Sequence, residues 1–229
     1  MIPSREYSDR IEQIEEFYEF LCFITSIETY KENSKIKYST KSFPITLEFT
    51  KNLKAQFVLM LYNLLEDTVR SLISNIFDTI SDENITFKDL TLPLKEAFLD
   101  QELKTDTQIK KIREYFLEFA EENCNKCILF NIQEVEISGN LDMKQVKRLS
   151  KRYGLPNSKL YTNKEIAESL LVIKNTRNQL AHGDVSFCNK GGMFTMSDIL
   201  KMKTNTIKFL DELIRIQKNY IDKKMYLDK

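Results

Sequence analysis

Between Lys51 and Ile80 the chain carries Leu53, Phe57, Leu61, Leu64, Leu65, Val69, Leu72, Ile76 and Ile80, spaced mostly three and four residues apart. The spacing predicts a helix, and the width of the apolar band predicts where that helix sits. A helix apolar over so much of its circumference must be covered on several sides, so it should run through the centre of a helical bundle. Chain punctuation agrees. Only 5 Gly and 4 Pro occur in 229 residues, too few for the frequent turns of an all-β fold. Hydrophobic residues make up 42% of the chain, enough for one substantial core. One large domain is the simplest organisation for this length, with an insertion or elaboration around residues 84–160.

Further helices are expected on either side of this one. Ile11, Ile14, Phe17, Leu21 and Ile24 mark a first helix from Ser4 to about Lys31. "KIKYSTKSFPITLEFT" breaks the period and reads as a loop with some strand character. A short helix is expected around Leu94–Leu103, another over Thr107–Asn125, and a short extended piece in "FNIQEVEISGN". Asp142–Tyr153 reads as a basic helix halted by "GLPN". Thr162 should cap a helix running to about Ala181, and "VSFCNKGGMFTM" should form a loop or hairpin bent at Gly191 and Gly192. Ser197 should cap the last helix, to about Lys224.

Lys+Arg and Asp+Glu both number 34, so bulk charge announces no nucleic-acid partner and any basic surface must be local. No apolar run is long enough to span a membrane, and the start "MIPSREYSDR" has no signal-peptide core. Four scattered cysteines are too few to staple a chain of this size. A reduced, cytoplasmic protein with no membrane partner is expected. Cys124 and Cys127 form a lone C-x-x-C, and zinc would need two more ligands; they are read as buried small hydrophobes. No metal and no cofactor is expected.

One short stretch stands apart. "TRNQLAHGD", Thr176–Asp184, holds the only histidine of the chain. Ile166, Leu170, Ile173, Arg177 and Ala181 share one helix face, apolar except for Arg177. A guanidinium on a core-facing stripe is costly unless it is paired or lies in a polar cleft. Asn178 and His182 share a neighbouring face with Lys174, and Gly183 suits the position just past a helix end. An arginine that snorkels and a histidine that caps carbonyls would explain such a pair without function. The Asn after the Arg, the helix end and the Gly after the His together make a more specific string.

That string, Arg177-Asn178-x-x-x-His182-Gly183, resembles the signature of the HEPN superfamily of α-helical domains. "YNLLEDTVR", "SGNLD" and "LAHGDVSF" resemble its MAE-type branch. The resemblance implies an all-α, antiparallel helical bundle with loop and short-helix insertions. It also implies a metal-independent endoribonuclease with Arg177, Asn178 and His182 as catalytic residues. In such enzymes the ribose 2′-OH attacks the adjacent phosphate and leaves a 2′,3′-cyclic phosphate and a 5′-OH. The resemblance further implies a homodimer, a toxin or antiviral-defence setting, and a controlling partner such as an antitoxin. The rival reading is a non-catalytic dimeric binding module in a larger assembly.

The residue types suit that chemistry. Imidazole shuttles protons near neutral pH, and a guanidinium donates two-pronged hydrogen bonds to phosphate oxygens. One geometric difficulty remains: positions five apart differ by roughly 140° around a helix. Arg177 and His182 converge only if the last turn loosens or a symmetry-related chain completes the site. Glu66, beside the central band, is a supporting candidate, paired either with Arg177 or locally with Arg70. Lys144, Lys147, Arg148, Lys151 and Arg152 form one cationic face for an RNA backbone, with Tyr153 and Tyr161 nearby for stacking.

Overall fold

The computed structural model describes residues 4–30, 35–102, 127–135, 137 and 139–228. The helix expected over Thr107–Asn125, and Cys124 with it, lie outside them. The central helix is α2, Leu47–Asp82, longer at both ends than the apolar period alone indicates. Thr46 starts it, its side chain accepting the Phe49 backbone N–H. Phe57, Leu61, Leu65 and Ile76 of α2 are completely buried, as its wide apolar band requires.

Helix α1, Ser4–Tyr30, lies along α2, with Phe17 stacked on Phe57 at 5.9 Å between ring centroids. Between them, β1 (Lys35–Tyr38) and β2 (Lys41–Pro44) pair antiparallel as a small hairpin, which accounts for the strand character of that segment. Helix α3 spans Leu92–Glu102. The extended piece expected in "FNIQEVEISGN" is instead a single 3-10 turn, Ile132–Glu134, whose start is fixed by the Asn131 side chain accepting the Gln133 N–H. Phe130 just before it stacks on Phe77 of α2 at 4.4 Å. Core packing and a reciprocal pair of hydrogen bonds, Asn131 N–H to Gln101 Oε1 at 3.1 Å and Gln101 Nε2 to the Asn131 carbonyl at 3.3 Å, hold this segment rather than strand pairing.

Helix α4 is Met143–Arg152, capped by Asp142. Helix α5, Lys164–Ala181, is capped by Asn163 rather than Thr162. Helix α6 is Phe187–Gly192, a short helix where a bend was expected. Gly191 explains it: a Cβ there would lie 1.7 Å from the Lys51 carbonyl oxygen of α2. The glycine serves close approach of two helices, not a turn. Helix α7, Met196–Asp222, begins at Thr195, not Ser197, because Thr195 and Asp198 form a reciprocal capping box.

Helix α7 is tied to α2 by Gln217, whose Nε2 donates to the Leu72 carbonyl at 2.7 Å, and to α5 by Asn205, whose Nδ2 donates to Ser169 Oγ at 2.9 Å. One apolar core runs through these helices, and the described parts of residues 84–160 contribute to it through Leu94, Phe98, Ile128 and Val146. Among the described residues no helix is long and apolar enough to cross a membrane. Cys127 is exposed, not a buried hydrophobe, and its thiol reaches Asn84 Oδ1 at 3.6 Å. No cluster that could hold a metal ion occurs among the described residues.

Candidate active site

Helix α5 stays regular up to its end. The His182 N–H donates to the Asn178 carbonyl at 3.0 Å, so the last turn keeps α-helical bonding. Gly183 follows with φ +76°. Its N–H donates to Leu180 O at 3.3 Å, and the Asp184 N–H donates to Gln179 O at 2.9 Å. These two bonds are the Schellman closure. The end of the helix is therefore well built, and the roughly 140° between positions 177 and 182 persists. Ala181 is exposed, whereas Thr176 and Leu180 turn inward.

Arg177 is half-buried and faces the bundle. Its guanidinium carbon lies 5.3 Å from the centroid of the Tyr62 ring on α2, a cation–π distance. On the loop before α4, Gly139 presses on the same group. A Cβ on Gly139 would stand 2.5, 2.6 and 2.6 Å from Nη2, Cζ and Nη1 of Arg177. Near-equal distances to all three atoms put that point over the guanidinium plane, not at its edge. Only a residue without a side chain lets the loop come this close.

The loop is anchored at three further points. The Leu141 N–H donates to Tyr62 Oη at 3.3 Å. Asn178 Nδ2 donates to Asn140 Oδ1. Asp142 accepts from Lys174 Nζ at 2.8 Å, with both side chains largely shielded from solvent. Arg177 Nη1 in turn donates to Asn178 Oδ1 at 3.2 Å, so Asn178 links the arginine to the loop. Gly139, Asn140 and Asp142 belong to the "SGNLD" string, and Tyr62 and Glu66 to "YNLLEDTVR". Segments far apart in the chain thus meet at Arg177. Tyr62 and Gly139 are site residues that the sequence marks only through those two family-like strings; nothing local ties either to Arg177, 115 and 38 positions away.

Glu66 plays neither of its two expected parts: among the described residues it forms no ion pair with Arg177 or Arg70. It acts on Tyr62 instead. Burial pushes the Tyr62 hydroxyl up to about 12, the Leu141 N–H opposes this, the nearby Glu66 carboxylate adds to it, and Arg177 works against it. Tyr62 therefore stays a neutral donor at physiological pH. No carboxylate among the described residues neutralises Arg177 through an ion pair.

His182 is exposed, and its side chain makes no hydrogen bond among the described residues. It shares the outward face of α5 with exposed Leu171, Val172, Asn175 and Gln179, all within about 60° of Asn175 around the axis. Arg177 points to nearly the opposite side. Within one chain the two candidate residues therefore lie on different faces of α5.

On α4, Lys144, Lys147, Arg148, Lys151 and Arg152 are all exposed, as the stripe predicts. They edge two clefts, and Arg148 and Lys151 line both. Arg152 bonds Asp100 at 3.1 Å beside one cleft, and the first four edge the other. Tyr153 and Tyr161 are buried, so neither offers an open ring for stacking. Tyr153 packs edge-on against Phe77 in the core.

A family model described as HEPN_MAE_28990-like HEPN matches residues 5–226. No curated protein and no solved structure gives a significant match. The match extends over α1 to α7, and so includes both the all-α bundle and the Arg177–His182 helix end. The chain belongs to the MAE_28990-like HEPN family.

Proposed function

We propose that this protein is a cytoplasmic endoribonuclease that cuts RNA without a metal, acting as a two-fold homodimer. The observation that carries the reading is the surroundings of Arg177. A half-buried guanidinium is fixed by a ring, a glycine backbone and an Asn–Asn bridge, with no ion-paired carboxylate among the described residues to neutralise it. Such a group is poised for an anion, and phosphate matches its geometry. In the reaction the ribose O2′ bonds to phosphorus and the P–O5′ bond breaks. The 2′-hydroxyl loses its proton, and the departing O5′ gains one. His182 suits both proton transfers, and Arg177 the charge that builds on the non-bridging oxygens. Asn178 holds Arg177 in register. Glu66 supports the site at one remove, through Tyr62.

The dimer follows from the helix. With the last turn regular, His182 reaches an Arg177 only across a symmetry axis. A shared site needs the two copies to meet along the flank of α5 between these residues, where Asn178 lies. The cationic face of α4 would hold the RNA backbone. A toxin or defence role with an antitoxin or other controlling partner suits a nuclease that is harmful when unchecked. Separation of Arg177 and His182 within one chain also favours a second reading, a non-catalytic binding module.

One experiment distinguishes the two. Purified protein is incubated with total RNA in excess EDTA, and the product ends are analysed. Cleavage giving 2′,3′-cyclic phosphate and 5′-OH ends supports the enzyme. Intact RNA, or cleavage that stops in EDTA, contradicts it.

A further inference from the structure

Lys190 of α6 repeats the surroundings of Arg177 on another side of α5. Its amine donates to Gln179 Oε1 at 2.8 Å and lies 5.6 Å from the centroid of the Phe194 ring. The residue is half-buried and forms no ion pair among the described residues. Burial lowers the pKa of the amine, and no neighbouring carboxylate opposes it. Arg177 is held in the same manner, by a ring and an amide oxygen without an ion pair. A ring and a neutral amide orient a cation without neutralising it, so its charge stays available to an anion. Gln179 ties this amine to the His182 side of the helix. It lies three residues before His182, roughly 60° farther around α5 on the side away from Asn178.

We propose that Lys190 is a further phosphate-binding residue of the site, holding the RNA phosphate next to the scissile one on the His182 side. The inference rests on RNA being the ligand. A copy that brings His182 to its partner's arginine brings Lys190 with it. Seen from that arginine, Lys190 stands past His182, where the strand continues. A lysine suits this part as a point charge for a passing phosphate, whereas the scissile group takes the two-pronged guanidinium. Holding the neighbouring phosphate fixes which linkage meets His182, and such positioning is worth far more than the contact alone.

The test uses the full chain and a single-stranded 2′-O-methyl octanucleotide. Lacking the attacking hydroxyl, this probe reports binding whether or not the protein cuts RNA. Lys190→Gln should weaken binding about tenfold and lower the slope of log affinity against log salt by about 0.7, one phosphate contact on a single strand. Lys190→Met, which keeps the stem on Phe194 but not the charge, should behave in the same way, and Lys190→Arg should keep the wild-type slope. On ordinary RNA of the same sequence the loss should fall on KM rather than kcat. A methylphosphonate, which removes one phosphate charge, is then placed at each linkage of the probe in turn. At the linkage beside the one cut it should weaken wild-type binding and make no difference to Lys190→Gln. A folded Lys190→Gln protein with unchanged affinity and slope overturns the contact. So does lower stability in urea without a change of slope, which would make Lys190 only a tether between α5 and α6. A methylphosphonate effect that persists there in Lys190→Gln overturns its place next to His182. No binding of the probe by the wild-type protein overturns both the contact and the RNA reading. Loss of slope in Lys190→Gln, in a protein that leaves ordinary RNA intact, upholds the contact and removes only the nuclease.

Discussion

Arg177 and His182 have opposite surroundings, and each suits the part proposed for it. The arginine is held against Tyr62 and Gly139, while the histidine stands exposed at a helix end. His182→Ala should lower RNA cleavage by about 10²–10⁴-fold, the usual worth of positioned proton transfer. It should change stability by no more than about 0.5 kcal/mol, because the residue is exposed. Cleavage assays beside urea unfolding check both halves. Gly139→Ala separates position from charge. Its methyl group meets the far end of a flexible side chain, which moves aside at little cost to the fold. The guanidinium then leaves its place, and a displacement of about 1 Å should cost about 10²-fold in kcat. Wild-type kcat in the folded variant would show that the loop does not position Arg177.

At the scale of elements, the loop before α4 and helix α5 act as one unit through Asp142 and Lys174. Burial raises the Asp142 carboxyl, but the Lys174 hydrogen bond and the Gln145 N–H outweigh it and hold its pKa below the usual carboxylate value. A depressed folded pKa gives stability that is complete above the unfolded value, about 3.9, and is lost as pH falls through the folded one. Asp142→Asn keeps a capping oxygen but leaves Lys174 without its partner charge. It should cost about 1–2 kcal/mol at neutral pH. In urea titrations that difference should shrink steadily once the pH drops below about 4. A gap of constant size would mean that the ion pair contributes nothing.

What could be read at this scale depended on whether the signal was local. Helix α2 was legible because its apolar spacing is a property of consecutive residues. The cap of α7 was legible in principle, since Thr195-x-x-Asp198 fits a capping box, but Ser197 competes with it nearby. Thr162 and Asn163 compete in the same way before α5. Helix α6 was misread because two adjacent glycines signal a bend, whereas Gly191 answers to the Lys51 carbonyl, 140 residues earlier in the chain. The site divides along the same line. Arg177, Asn178 and His182 lie in one string, but Tyr62 and Gly139 meet Arg177 only through the fold.

For the whole molecule, the proposed enzyme carries both of its catalytic groups on one chain but on different faces of α5. Helix α5 is regular to its end, so in the proposed enzyme a second copy would bring its His182 to the Arg177 of the first. Mixing subunits tests this directly. An Arg177→Ala chain and a His182→Ala chain, each inactive alone, are co-expressed and the mixed dimer is isolated by two different tags. The mixed dimer contains one intact Arg177 and one intact His182, on different chains. A shared site predicts that one composite centre survives and that metal-free RNA cleavage returns to about half the wild-type rate. A mixed dimer as inactive as its parents, or a wild-type protein that cuts RNA while monomeric, would contradict the shared site.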